Sequence, residues 1–241
     1  MLNLKQFRPI SIFTLLLSLT AIAAHADPLN CEDSSSKVVL ARVSTTQARL
    51  NFVAGPDKGM PTCPSAESTC RLKAFLVPGD EVLINTMEGS YVCATFKARS
   101  GIVTKGLLPR DALQVVPPEQ LSDQKWDGKW RRDSETEIVI ESRKDQVKVS
   151  GTAIWGSSDP QRVKRGAVNT GELSGSGKPG GQVLAIGYDP DRSGFPPPED
   201  AASDICAAKL ELYGRYLLVE DNERCGGVNV TFTGLYVRVN K

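Results

Sequence analysis

Apolar residues along most of this chain recur at every second position. In "VNVTFTGLYVRV" (228–239), Val228, Val230, Phe232 and Gly234 fall on one face, with Asn229, Thr231 and Thr233 on the other. "EIVIES" (137–142) and "QVKVSG" (146–151) alternate in the same way around a charged "RKD" turn. Period two with one polar face predicts half-buried antiparallel strands. "GQVLAIGY" (181–188), "AKLELY" (208–213) and "RYLLVE" (215–220) extend the series, the last two joined at Tyr213-Gly214-Arg215. About seven such strands over 125–241 predict a compact barrel or sandwich.

Upstream the runs are shorter: "KVVLARV" (37–43), "ARLNFV" (48–53), "RLKAFL" (71–76), "DEVLINT" (80–86), "SYVCATFK" (90–97) and "DALQVV" (111–116). Pro78-Gly79-Asp80 and Glu88-Gly89 separate them as turns. A boundary is expected where a strand ends at Pro117-Pro118. This divides the chain into a small β module over 36–117, a linker over 118–124 and a larger antiparallel β domain over 125–241. Helical periodicity is expected only near the N-terminus. The predicted fold class is all-β, a small barrel followed by an antiparallel barrel or sandwich, stapled by disulfides.

That N-terminus changes the compartment. Lys5 and Arg8 precede the apolar "ISIFTLLLSLTAIAA" (10–24), and Ala24-His25-Ala26 forms a small-x-small cleavage site. Residues 1–26 read as a secretory signal peptide, too short in its apolar part for a stable membrane span. Cys31 lacks a preceding lipoprotein-type box, so a soluble periplasmic protein is expected. The six cysteines all follow the signal and allow 15 connectivities. Cys63 and Cys70 bracket one polar loop, and Cys206 and Cys225 flank a segment that folds back on itself. Cys31–Cys93 remains by elimination, and an oxidising compartment follows.

Charge and histidine content exclude several functions. Residues 1–26 hold two of the 29 basic residues and no acidic one, leaving 27 against 28 and a net charge of −1. "KWRR" (129–132) and "RVKR" (162–165) are short and interleaved with acids, so no nucleic-acid partner is expected. The single histidine, His25, leaves with the signal. Without imidazole the usual general base, the Ser-His-Asp and Cys-His nucleophiles and the common zinc sites are lost. No enzyme, metal or cofactor is expected.

The region 38–116 resembles a bacterial SH3-type domain. Leu50-Asn51-Phe52-Val53-Ala54-Gly55-Pro56, Gly79-Asp80-Glu81-Val82, and then "EGSYVCATFK", "TKGLLPRDAL" and "QVV" follow that family's order. The family's Gly-Trp is Gly106-Leu107 here. The resemblance implies binding of peptide or peptidoglycan, with Asn51, Phe52, Tyr91 and Phe96 as contact candidates. Asp221, Asn222, Cys225, Gly226, Gly227, Asn229, Val230, Phe232, Gly234 and Tyr236 resemble the closing motif of exported bacterial domains, some of them similar to inhibitors of cell-wall lysozymes. That resemblance implies a partner among cell-wall-active proteins.

The residues of this closing motif also have structural readings. Asp221-Asn222 is a turn pair, Gly226-Gly227 offers a positive φ or close approach beside a disulfide, and Gly234 marks a bulge, a bend or a close backbone approach in a strand. Asn222 and Asn229 are its exposed candidates. Gly128-x-Trp130 resembles the opening strand of lipocalins and, with Trp126, supplies core or plug tryptophans, or the wall of a small-ligand cavity. "DPDRSG" (189–194) lacks the downstream glutamate and helices of a calcium loop, and "SGSGKPGG" (174–181) is expected as a flexible hairpin loop. The long loop 187–204 is a further binding candidate.

Together these features predict a non-catalytic exported protein that recognises peptidoglycan or a cell-wall-active protein, as an inhibitor or immunity-type factor. A small-ligand carrier and a carboxylate-based wall hydrolase stand as alternatives.

Overall fold

The computed structural model describes residues 31, 38–121, 125–144, 146–187 and 205–239. The signal segment 1–26, the loop 188–204 with its "DPDRSG" stretch, and linker residues 122–124 lie outside them.

The fold is all-β and consists of two antiparallel sheets. The first contains β1 (Val39–Val43), β2 (Leu50–Val53), β3 (Arg71–Leu76), β4 (Glu81–Glu88), β5 (Tyr91–Lys97), β6 (Val103–Pro109) and β7 (Leu113–Val115), ordered β3-β2-β6-β5-β4-β1-β7. The strands bury Val43, Phe52, Leu76, Val82, Ile84, Val92 and Leu108 in one core. Gly106 lies over the Phe52 ring, where an added Cβ would stand 3.2 Å from Phe52 Cδ1.

The second sheet contains β8 (Gly128–Arg131), β9 (Thr136–Arg143), β10 (Gln146–Trp155), β11 (Asn169–Gly177), β12 (Val183–Gly187), β13 (Ala207–Tyr213), β14 (Tyr216–Asp221) and β15 (Gly234–Val239). Its order β11-β10-β9-β8-β15-β14-β13-β12 is a meander whose last strand pairs with its first, Arg238 opposite Trp130. The sheet curls until its edges β11 and β12 meet, making it nearly a barrel. A Cβ on Gly175 would lie 2.9 Å from Ile186 Cβ, and one on Gly177 would lie 2.9 Å from Ala185 O. Trp130, Ile138, Ile140, Val149, Leu173, Leu184, Leu210, Leu217, Phe232 and Tyr236 converge inside as one buried cluster.

Three local expectations are corrected. The "SGSG" stretch is no hairpin loop: residues 174–177 finish β11, paired so that Ser174 faces Ser150 and Gly177 faces Val147. Glycine serves there because the opposite edge packs against the backbone. The alternating run at the C-terminus becomes strand only from Gly234, and residues 228–233 are irregular. Asn229 has φ 67° and Val228 is 75% exposed, yet Val230 and Phe232 still bury their side chains. Polar side-chain bonds hold this stretch in place of a ladder. Finally, a short helix α1 (Pro160–Lys164) follows Trp155. Asp159 caps it by accepting from Gln161 N and Arg162 N, and Pro160 sits in its first turn.

Three disulfides staple the fold: Cys31–Cys93 and Cys63–Cys70 on the first sheet, and Cys206–Cys225 on the second. The sheets also pack on each other. Leu40, Leu83 and Val116 share a buried cluster with Leu121, Tyr216 and Val237. Across this junction Tyr216 Oη donates to Glu81 O at 2.6 Å, and Arg215 Nη2 donates to Lys97 O at 3.0 Å.

Candidate functional site

One face of the first sheet carries a cleft of about 930 Å³. The polar β1–β2 connection forms one wall, with Ser44, Thr45, Thr46 and Gln47. Leu50, Asn51 and Val53 of β2 form its floor, and Ser65, Ala66 and Arg71 stand at the end pinned by the Cys63–Cys70 bridge. Ser90, Tyr91, Pro109, Arg110, Asp111 and Ala112 complete it.

Short local interactions hold these walls. Gln47 N donates to Thr45 Oγ1 at 3.2 Å, which orders the connection as a hydroxyl turn. Ser44 N donates to Ala112 O at 2.9 Å, and Arg110 N to Ser90 O at 2.9 Å, so opposite rims are tied through the backbone. Asn51 Nδ2 donates to Leu72 O at 2.9 Å, which fixes the amide. Arg71 Nη2 reaches Ala66 O at 3.4 Å. Tyr91 is half-buried against the cluster that contains all four cysteines of this sheet. Its strand position faces Pro109, so the ring and the proline share one end of the cleft.

The cleft has the chemistry of a hydrogen-bonding groove. It offers five hydroxyl-bearing Ser and Thr side chains, the Asn51 amide, the Tyr91 phenol and two guanidinium groups, above an apolar floor. Among the described residues of its lining Asp111 is the one carboxylate, and none carries an imidazole or a thiol. Among the described residues no three His, Cys, Asp or Glu side chains group as a metal site, and no helix is long and apolar enough to cross a membrane.

The residues singled out from the sequence are dispersed. Asn51 and Tyr91 come together in the cleft. Phe52, 1% exposed, belongs to the core beneath it. Phe96 is half-buried against the core of the first sheet, with the Arg215 guanidinium of the second sheet 5.4 Å from its ring. Trp126 and Trp130 are core residues of the second sheet. Trp130 Nε1 donates to Trp126 O at 3.2 Å, and the Arg238 guanidinium lies 4.5 Å from a Trp130 ring centroid while bonding Lys125 O. Asn229 is exposed on the corner. Asn222 has its whole amide engaged, accepting from Ala207 N and Arg224 N and donating to Ile205 O.

The same corner is held by Asp221. Its Oδ1 accepts from Thr231 Oγ1 at 2.6 Å, Thr233 N at 3.0 Å and Thr233 Oγ1 at 2.5 Å, while Oδ2 is buried without a partner. From there the chain crosses to β11. Glu172 N donates to Cys225 O, Gly227 N to Thr170 O, and Asn169 Nδ2 to Val228 O. Arg132 Nη1 donates to Thr231 O and Thr233 O, and its Nη2 donates to Thr136 Oγ1.

Four acidic groups near the start of the second sheet are held below their ordinary values. Hydrogen bonds from Ser142 hold Asp127 down, and bonds from Ser157 and Ser158 do the same for Glu135. Burial alone would raise Asp133 and Glu137. The Arg132 guanidinium and the Glu135 N–H outweigh it at Asp133, and Lys129 and Arg131 outweigh it at Glu137. These carboxyls are committed to local bonds.

Arg71, Arg110, Asp111 and the 44–47 connection were missed as site residues. The signal for them was a polar run, "STTQ", between two strands, and charged residues at a strand end. No family model matches the chain, and no curated protein or solved structure matches it.

Proposed function

We propose that this is a non-catalytic exported binding protein whose first sheet recognises a polar cell-wall polymer, peptidoglycan, through the Asn51–Tyr91 cleft. The observation that supports this most is the cleft itself. Hydroxyl, amide and guanidinium groups, with Thr45, Asn51, Ser65 and Arg71 held by local hydrogen bonds, surround an apolar floor, which suits a glycan carrying short charged peptides. The likeness of 38–116 to bacterial SH3-type domains points the same way. The export signal, the periplasm and the kinship of the closing motif to lysozyme-inhibitor-like domains belong to this reading. In the same reading the second sheet acts as a rigid support, its interior being taken up by its own side chains. That packing favours the wall-binding role over a carrier role for the barrel. The test is co-sedimentation of the oxidised full-length protein with purified peptidoglycan, with release of soluble muropeptides followed in the same tubes. Pelleting without release is expected, and release would overturn the non-catalytic reading.

A further inference from the structure

Strand β3 ends the first sheet on one side, and among the described residues it pairs with β2 alone. Its alternate positions are basic and aromatic outside, apolar inside. Arg71, Lys73 and Phe75 are exposed, whereas Leu72 and Ala74 pack against the core and Leu76 is buried in it. Phe75 is 42% exposed, and the guanidinium of Arg49, just before β2, lies 4.4 Å from its ring centroid. Asn51 stands opposite Phe75 in register, so this strip adjoins the cleft at Asn51 and Arg71.

Charged side chains commonly guard an edge strand against pairing, and Arg71 and Lys73 serve that purpose here. Guarding does not account for Phe75, because an exposed ring on an edge favours association. The guard also has a sign. A second copy docking through the same edge would bring basic side chains against basic ones, which is unfavourable across a strand pair. An acidic strand would meet opposite charges instead. Two carboxylates lie in the turns flanking β3, and both are engaged locally. Glu67 accepts from Thr69 Oγ1 at 3.4 Å, and Asp80 Oδ2 accepts from Val77 N at 2.8 Å. The Cys63–Cys70 bridge and the Asp80 turn hold the strand at its two ends, so little ordering is required of it on binding.

We propose that β3 takes up an extended acidic peptide as an added strand. Main-chain bonds along the edge supply affinity, and alternate side chains supply specificity. The outward positions of the peptide place carboxylates beside Arg71 and Lys73 and an apolar side chain beside Phe75. Its inward positions are apolar and cover Leu72 and Ala74. The partner is therefore a protein segment in which acidic and apolar residues alternate. Lys73 and Phe75 do not line the cleft that receives the wall polymer, so the two readings fail separately.

The test is calorimetric titration of the oxidised full-length protein at physiological salt with two capped peptides, Thr-Glu-Val-Glu-Val-Leu-Thr and its reverse, one for each strand direction. The peptide of matching direction is expected to bind one to one. The same peptide with methylated backbone nitrogens keeps its charges but cannot donate to the edge, and is expected to bind at least tenfold more weakly. Lys73→Glu, at an exposed position, is expected to weaken the Glu peptide at least tenfold and to favour its counterpart with Lys in place of Glu. Phe75→Ala is expected to weaken binding severalfold. Failure of the parent protein to bind either peptide would overturn the proposal. So would equal binding of the methylated peptide, or an unchanged preference for Glu in Lys73→Glu.

Discussion

Tyr216 Oη on β14 donates to the main-chain carbonyl of Glu81 on β4 at 2.6 Å, a bond that joins the two sheets through a buried ring. Tyr216→Phe keeps the ring and leaves that carbonyl without its donor. Loss of about 1–2 kcal/mol is expected in urea unfolding. All three tryptophans lie in the second sheet or beside it, so their fluorescence reports that sheet, whereas far-ultraviolet circular dichroism reports both. Coincident transitions by the two probes are expected for the parent protein. Separate transitions would mean that the junction couples the sheets weakly.

Gly171 and Gly226 bring two backbones together. A Cβ on Gly171 would lie 2.4 Å from Cys225 O and 2.9 Å from Gly226 Cα, where only main-chain movement could relieve it. Gly171→Ala is expected to cost about 3 kcal/mol in the same unfolding measurement. Gly180→Ala is the control, since the nearest atom to its Cβ would be Val183 O at 3.9 Å. A change within about 0.5 kcal/mol is expected there.

Asp221→Ala removes the acceptor shared by Thr231 and Thr233 and leaves their donors unpaired at the corner. About 3 kcal/mol of destabilisation is expected, because three donors lose their acceptor at a partly buried corner. Asn229→Ala, at an exposed position outside this network, changes only a left-handed backbone preference. It is expected to cost no more than about 1 kcal/mol.

The carboxyl groups of Asp127, Asp133, Glu135 and Glu137 are depressed in the folded protein. Such groups stabilise the fold above their ordinary values, 3.8 for Asp and 4.5 for Glu, and that contribution is lost as pH falls through the depressed values. The melting temperature is therefore expected to hold from pH 7 to about 5 and to fall below pH 4. At the alkaline end, burial pushes Tyr213 and Tyr216 up to about 12. The unfolded chain ionises first, so stability is expected to decline above pH 10, with the phenolate absorbance lagging behind that of a urea-unfolded sample. A melting temperature indifferent to acid would contradict the carboxylate assignments.

Strand positions were legible wherever alternation met a turn signal. "RLKAFL" coincides with β3, and the Tyr213-Gly214-Arg215 turn joins β13 to β14 as read. The disulfide pairs were legible too: loop length pointed to Cys63–Cys70 and fold-back to Cys206–Cys225, which left Cys31–Cys93 by elimination. What failed was local chemistry overridden by distant packing. The end of β11, residues 174–177, looked like a loop because its glycines are there for a neighbouring edge, Ile186 and Ala185, that no local pattern reveals. Residues 228–233 looked like strand because Val230 and Phe232 are buried at alternate positions, while Asp221 takes the Thr233 N–H out of any ladder and binds the Thr231 hydroxyl. α1 was signalled only by Asp159-Pro160, a cap and first turn without a periodic run behind them. In the cleft, Asn51 and Tyr91 could be named in advance. Arg71 and Arg110 could not, because their approach depends on how β3 and the end of β6 fold around β2.

The most direct measurement is peptidoglycan co-sedimentation of the parent protein beside Tyr91→Ala, Arg110→Ala and Glu223→Ala, each confirmed folded and oxidised. Glu223 is exposed on the corner of the second sheet, remote in sequence from the cleft residues, and serves as the control. The parent and Glu223→Ala are expected to pellet alike, with Tyr91→Ala and Arg110→Ala at least tenfold weaker and no muropeptide released. If the parent protein stays in the supernatant, or the cleft variants pellet as it does, the cleft is not a wall-binding site.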